Sequence, residues 1–424
     1  MLCPSSRPLA CPRALVTLLV AGLLVSLSSL APVTSASAAT AKRNITFTRF
    51  AGQGLAAGHH RGTLVRDGAI VFGSRAGQSQ YAGRTYERAR WTAPWQTSTF
   101  AFTELIASWS ARTPGDSFIE VEVRGRNAQG TQSSWDLLGR WAAGDRYVRR
   151  TTTSPQSDDL ASVDVDTWKV RGTGGLVSWQ LRLSLYRKAG TRGPTVSMVG
   201  AVASRLPRVA TVAVSTPTRN VGTELDVPSY SQMVHAGDYS QWGGGGEAWC
   251  SPTSTSMVLG YYDALPRPSA YRFVPAGHPD PWVDYAARRT YDTDYEGTGN
   301  WPFNTAYAAR LAGDAFVTRL RSLREAEKLV AAGIPVVASV SWGSGELTGA
   351  PVSSSNGHLL VIIGFTASGD PIVNDPAAKT NAGVRHVYDR AQFENAWLPT
   401  SGGTVYVIHD AAHPLPAAST QANW

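Results

Sequence analysis

Residues 243–262 read GGGGEAWCSPTSTSMVLGYY and set one cysteine, Cys250, between a run of glycines and the start of a helix. Proline is favoured at a first helical position, where its missing N–H is not needed; Pro252 fits that place, and Met257, Val258, Tyr261 and Tyr262 supply an apolar face. Cys250 is therefore expected just before the first turn, facing the unsatisfied amides and the positive end of the helix dipole, a field that favours thiolate over thiol. Gly243 to Gly246 would let the backbone ahead of it come close to a bound substrate.

The other cysteines, Cys3 and Cys11, fall in a leader-like segment over 1–38: Arg7 and Arg13, an apolar run from Ala14 to Leu30, then Ala36-Ser37-Ala38, the small-x-small pattern of a signal peptidase site. The expectation is cleavage near Ala38 and a secreted, extracellular product with no membrane span, since no later segment reaches the roughly 18 uninterrupted apolar residues of a membrane helix. One thiol then remains. It cannot form an internal disulfide, which leaves a reactive nucleophile, an intermolecular bridge or an inert buried residue.

A chain of 424 residues, 43% hydrophobic and 17% charged, is long enough for two or three domains with real cores. Its formal charge of +8 includes Arg7 and Arg13 and is spread along the sequence. No Lys/Arg cluster with interleaved aromatics marks a nucleic-acid face, so the charge is read as a solvated surface.

Two grammars divide the rest. Over 40–204 short strands follow one another: in FIEVEVRG, Ile119, Val121 and Val123 alternate with polar residues, and in SWQLRLSLY, Trp179, Leu181, Leu183 and Leu185 share a face opposite Gln180, Arg182 and Ser184. That period of two predicts half-buried antiparallel strands and an all-β sandwich or jelly-roll accessory domain. Its tryptophans, among them Trp91, Trp95, Trp109, Trp135, Trp141, Trp168 and Trp179, would serve as core or as a sugar-stacking platform, with core the simpler reading. A linker is placed at 205–224. Over 225–410 helix and strand mix: SLREAEKLVAAG predicts a helix with Ser322 as N-cap, Glu325 as its capping-box partner and Gly333 at the stop, and IPVVASVSW, HLLVIIGF, DPIV and TVYVIH read as strands. Residues 411–424 are left as a tail.

A cysteine nucleophile needs a base, and the base needs a group to fix its tautomer. His358 opens the apolar strand NGHLLVIIGF directly after the polar loop WGSGELTGAPVSSSNG. Across the hairpin SGD at 368–370 lies PIVNDPA, which brings Asp375 near His358 if the return strand carries a bulge; Asn374 is the alternative orienter, on the opposite face.

VPSYSQM, WCSPTSTSMVLGYY, GHLLVIIGF and GDPIVNDPA, in this order, resemble the bacteriocin-processing, double-glycine peptidases of the papain superfamily, specifically their stand-alone secreted relatives. The resemblance covers 225–410 and implies an α+β papain-like cysteine peptidase domain with a catalytic triad of Cys250, His358 and Asp375. It also implies an upstream glutamine at the oxyanion, Gln232 by its place after VPSYS, with Gln241 the alternative nearer the cysteine. Two features depart from the family pattern: Cys250-Ser251-Pro252 stands for Cys-Gly-Pro, and HAGDYSQWGGGGEA lengthens the interval from Gln232 to Cys250.

Secreted peptidase activity on a peptide or protein substrate, through a thioester acyl-enzyme and without a cofactor, is the leading expectation. A peptidoglycan amidase or transpeptidase with the same triad is the second, and a non-catalytic wall- or carbohydrate-binding protein the third. His278, Asp280, Asp284, Asp292, Asp294 and Glu296 show no familiar metal-ligand spacing and read as a solvated loop, with some of Trp282, Tyr285, Tyr291, Tyr295 and Trp301 expected to line the cleft. His235, His386 and His409 read as surface or packing residues.

Overall fold

The computed structural model describes residues 42–424 apart from 75 and 158, so the leader predicted over 1–38 lies outside it. The N-terminal half is β-rich, as the alternation predicts. Two antiparallel sheets of seven strands each occupy it, and Trp109 and Val199 of one share a core with Val121 and Leu183 of the other. The strand Leu176–Arg187 pairs with Ser117–Arg126 on one side and Arg84–Thr92 on the other. Its polar face is not open to water, however, because Gln180 and Ser184 are buried as well. Arg182 pairs with Glu122 there, Arg124 donates to Gln180 Oε1 at 2.7 Å, and both guanidiniums lie over Trp135, at 4.1 and 4.4 Å from its ring centre. Charged side chains thus roof the sheet that simple alternation would leave solvated.

Five of the seven tryptophans (91, 109, 141, 168 and 179) are fully buried core residues, and Trp95 and Trp135 carry arginines on their faces. No bare stacking platform remains among them.

The second half is built on a third sheet, in the order Asp314–Arg319, Thr404–His409, Val336–Trp342, Ser355–Phe365, Pro371–Asn374, Arg385–Val387, with Thr223–Glu224 paired to Ser355–Phe365. Around it stand α1 (Cys250–Tyr261), α2 (Pro281–Thr290), α3 (Trp301–Ala312), α4 (Leu323–Ala331) and α5 (Arg390–Trp397). α4 matches the predicted helix, but its start is capped differently. Ser322 makes no side-chain cap, and Glu325 reaches back one residue further, accepting from Arg321 N at 2.7 Å and from Arg321 Nη1 at 2.8 Å. A backbone hydrogen bond and an ion pair, both to Arg321, displace the reciprocal box. α2 occupies 281–290 of the stretch from His278 to Glu296 read as a solvated loop, and α3 follows it; burial of Val283, Asp284, Ala286 and Ala287, and of Pro302 to Ala309 in α3, explains the difference. Among the described residues no helix is long and apolar enough to cross a membrane.

The segment over 205–224 runs along the second half: Ser215 donates from N and Oγ to Glu394 at 2.7 and 2.6 Å, and Thr218 N donates to Glu327 at 2.8 Å. Between the halves, Phe303 of α3 packs edge-on to Trp109 at 6.1 Å and on Trp141 at 5.4 Å, and buried Asp292 accepts from Thr152 N at 3.0 Å and Thr152 Oγ1 at 2.9 Å.

Candidate active site

Cys250 is the first residue of α1, with Trp249 as N-cap, so the helix starts slightly earlier than the proline signal suggests and Pro252 lies within the first turn. Its backbone N–H has no acceptor inside the helix. α1 is buried on nearly every side from Ser251 to Leu259, rather than along one apolar stripe, and three of its hydroxyls find close partners inside the protein. Ser254 Oγ donates to Leu359 O at 3.0 Å, Ser256 Oγ to Pro252 O at 2.8 Å, and Ser251 Oγ meets Tyr406 Oη at 2.8 Å. The last contact gives Ser251 a reason to stand where glycine is usual. The first ties α1 to the strand that carries His358.

His358, in the strand Ser355–Phe365, is 4% exposed. The register of that strand with Pro371–Asn374 shifts between Ile362 and Gly364, a bulge of the kind needed to bring the next residue, Asp375, back toward His358. His358 Nε2–H donates to Asp375 Oδ1 at 2.7 Å, leaving Nδ1 for the thiol side. Asp375 also accepts from Ala377 N at 3.0 Å and from Tyr388 Oη at 2.8 Å, while Trp342 stands edge-on to the imidazole with ring centres 5.6 Å apart. Asn374 faces away and donates to Val227 O at 3.1 Å. Burial opposes charge on His358, but the Asp375 carboxylate, followed by hydrogen bonding to and charge on Cys250, outweighs it and raises the imidazole to about 10. Burial pushes Asp375 the other way, up, but the His358 charge and the bonds from His358, Ala377 and Tyr388 carry it below its usual range.

A family model described as Peptidase_C39 like family matches residues 224–405, and one described as Peptidase C39 N-terminal domain matches residues 46–204. The chain belongs to the C39-like cysteine peptidase family. Membership suggests peptidase activity and implies a peptide substrate. Among curated proteins no match is found.

In this C39-like chain Cys250, His358 and Gln232 line one cleft of about 760 Å³. Gln232 is buried and opens a short 3-10 turn, Gln232–His235, rather than following a paired strand; Nε2 donates to Glu247 O at 2.7 Å, which leaves its second N–H. Gln241 lies outside that cleft, beside Trp242 and Arg288. The glycine run serves the backbone more than a substrate. Gly245 has φ +104°, and a Cβ at Gly246 would meet His235 C and O at 2.3 Å, although Gly243 does line the cleft.

The opposite wall of the C39-like cleft comes from the N-terminal half, through the hairpin of Ala161–Asp164 and Thr167–Val170. Its buried Asp166 accepts from Trp301 N at 3.0 Å, and burial lifts its carboxyl to about 6. Of the five aromatics expected near the cleft, Tyr295 and Trp301 line it; Trp282 instead packs on Tyr230 and Tyr285 on Tyr307. Tyr388 and Trp342 are not marked in the sequence beyond their places just after and at the end of short strands. His386 stacks on Tyr388 and His409 pairs with Asp314, in keeping with packing roles. His235 is fully buried beside His278, Asp238 and Asp284, which excludes the surface reading and leaves packing, and the two histidines and two carboxylates form a cluster rather than a solvated loop.

Proposed function

We propose that the protein is a secreted cysteine peptidase with a papain-like core, hydrolysing peptide bonds with Cys250 as nucleophile, His358 as base and Asp375 as the group that orients it. The observation that carries this reading is the buried His358–Asp375 pair, 2.7 Å apart, whose histidine lines the same cleft as a helix-start thiol. His358 Nδ1 takes the Cys250 proton, and the thiolate attacks the scissile carbonyl carbon. The oxyanion that forms is held by the Cys250 backbone N–H and the free N–H of Gln232. As the tetrahedral adduct collapses, the imidazolium gives its proton to the leaving amine. Water, deprotonated by His358, then cleaves the thioester and returns the thiol. Asp375 keeps Nε2 protonated and balances the imidazolium, which is what a carboxylate in this position does for catalysis.

The hairpin at 161–170 supplies a substrate wall, which gives the N-terminal half a part in choosing the peptide. The test is cleavage of a mixed peptide library with products read by mass spectrometry. Hydrolysed peptides from the native protein and none from Cys250→Ala support the reading. Equal products from both overturn it, and ligated products in place of hydrolysed ones point to transpeptidation.

A further inference from the structure

We infer that His235 Nδ1, His278 Nε2 and the carboxylates of Asp238 and Asp284 form a binding site for one divalent transition-metal ion of the Zn²⁺ class, away from the catalytic cleft. The two ring nitrogens lie 3.2 Å apart, His235 Nδ1 and Asp284 Oδ2 3.2 Å, and His278 Nε2 and Asp238 Oδ2 3.0 Å. The remaining histidine–carboxylate spacings are 3.8 Å to Asp284 and 4.0 Å to Asp238, and all four ligand atoms fall within 4.8 Å of one another. Around an ion with bonds of about 2.0–2.1 Å, a tetrahedron has edges of roughly 3.3–3.4 Å, which is the middle of this range. Two imidazoles with two carboxylates suit zinc and its neighbours better than the all-oxygen shells of calcium or magnesium.

A second observation points the same way. Asp284 is 0% exposed and neither of its carboxylate oxygens has a hydrogen-bond donor. A proton shared between the imidazoles leaves the buried Asp284 carboxylate uncompensated in the interior, with the partly exposed Asp238 carboxylate beside it, at a cost that a cation removes. His278 and Asp238, with side chains 20% and 34% exposed, give the ion a way in.

The ligands explain the lengthened interval between Gln232 and Cys250. His235 and Asp238 lie in it, Asp284 is in the first turn of α2, and His278 precedes that helix. His235 also packs on Trp249, the N-cap of α1, with ring centres 6.2 Å apart. The ion would therefore clamp to α2 the segment that carries both Gln232 and the helix start, a staple in a chain whose described residues hold a single cysteine.

The experiment uses tag-free protein carrying Cys250→Ala, so that the Cys250 thiol binds no metal, and compares it with the same protein also bearing Asp238→Asn or His278→Gln. Each is stripped with a chelator, equilibrated with Zn²⁺ and desalted, and its metal content and Tm are measured. One retained ion per chain and a Tm that climbs with free Zn²⁺ are expected, with affinity falling on the order of 100-fold in either ligand variant. Should a ligand variant fail to fold, the parent decides through its Co²⁺ form, which must show the intense visible bands of a tetrahedral ion. A folded parent that keeps no Zn²⁺ and has a metal-independent Tm overturns the site, and so does an ion retained equally by both ligand variants.

Discussion

Asp375 accepts from His358, Ala377 and Tyr388, and against the opposing effect of burial its carboxylate, with Cys250 on the other side, raises the imidazole to about 10. The sign of its pH dependence follows. The His358 contribution to stability is full below its ordinary value of 6.5 and is lost as pH rises through about 10. The Asp375 contribution is full above 3.8 and is lost as pH falls through its lowered value. Urea midpoints measured across pH should therefore fall on both sides of that window more steeply in the native protein than in His358→Ala. Cys250→Ala should lower kcat/KM on the order of 10⁴-fold or more. Asp375→Asn should cost about 10²- to 10⁴-fold and move the alkaline limb of the rate profile to lower pH, since the strongest group holding the imidazolium is gone. An unmoved limb would assign it to another group. Cysteine, histidine and aspartate were legible here because strand alternation and hairpin geometry tie His358 to Asp375 over a short span. Tyr388 was not, because its bond to Asp375 depends on how a later strand returns.

At the scale of elements, local pattern predicted what local forces decide: the strands of the β-rich half, α4, and the hairpin at 368–370. It failed where burial comes from elsewhere. α1 reads as amphipathic yet is enclosed, and α2 and α3 sit in a polar-looking stretch whose Asp284 and Asp292 are buried through partners remote in sequence. The glycine run is where element and site meet. Gly246→Ala would drive a Cβ into the backbone of His235 and toward Gln232 O at 2.5 Å, and neither neighbour is a side chain that can swing aside. The variant is expected to lose about 1–3 kcal/mol, read as a lower urea midpoint, and to lose activity with it as Gln232 shifts. Stability and activity equal to the native protein would show that this loop yields more easily than its packing implies.

Among the described residues, a hydrophobic core that spans both halves runs from Ile45 and Trp109 to Met257, Phe303 and Tyr406. Ser108 Oγ accepts from Val317 N at 2.8 Å, and Arg150 Nη2 donates to Arg288 O at 2.6 Å. The C-terminal residues join the same body, with Phe47 N donating to Ala422 O at 2.9 Å and Asn423 Nδ2 to Arg319 O at 2.8 Å. The change of composition near 205–224 marks where the sequence changes character, but the contacts that cross it are long-range pairings that no periodicity encodes. Calorimetry should thus record one cooperative transition, and Phe303→Ala should cost about 3–5 kcal/mol by emptying the space between Trp109 and Trp141. Two separate transitions would mean that the halves unfold independently.

The pairing of Cys250 with His358 is tested most directly by mass spectrometry of the protein after brief iodoacetamide treatment at pH 6, beside His358→Ala. A paired thiolate alkylates once and rapidly, and slows by an order of magnitude or more without the imidazole. Slow and equal alkylation in both proteins would contradict an activated Cys250 and, with it, the peptidase mechanism.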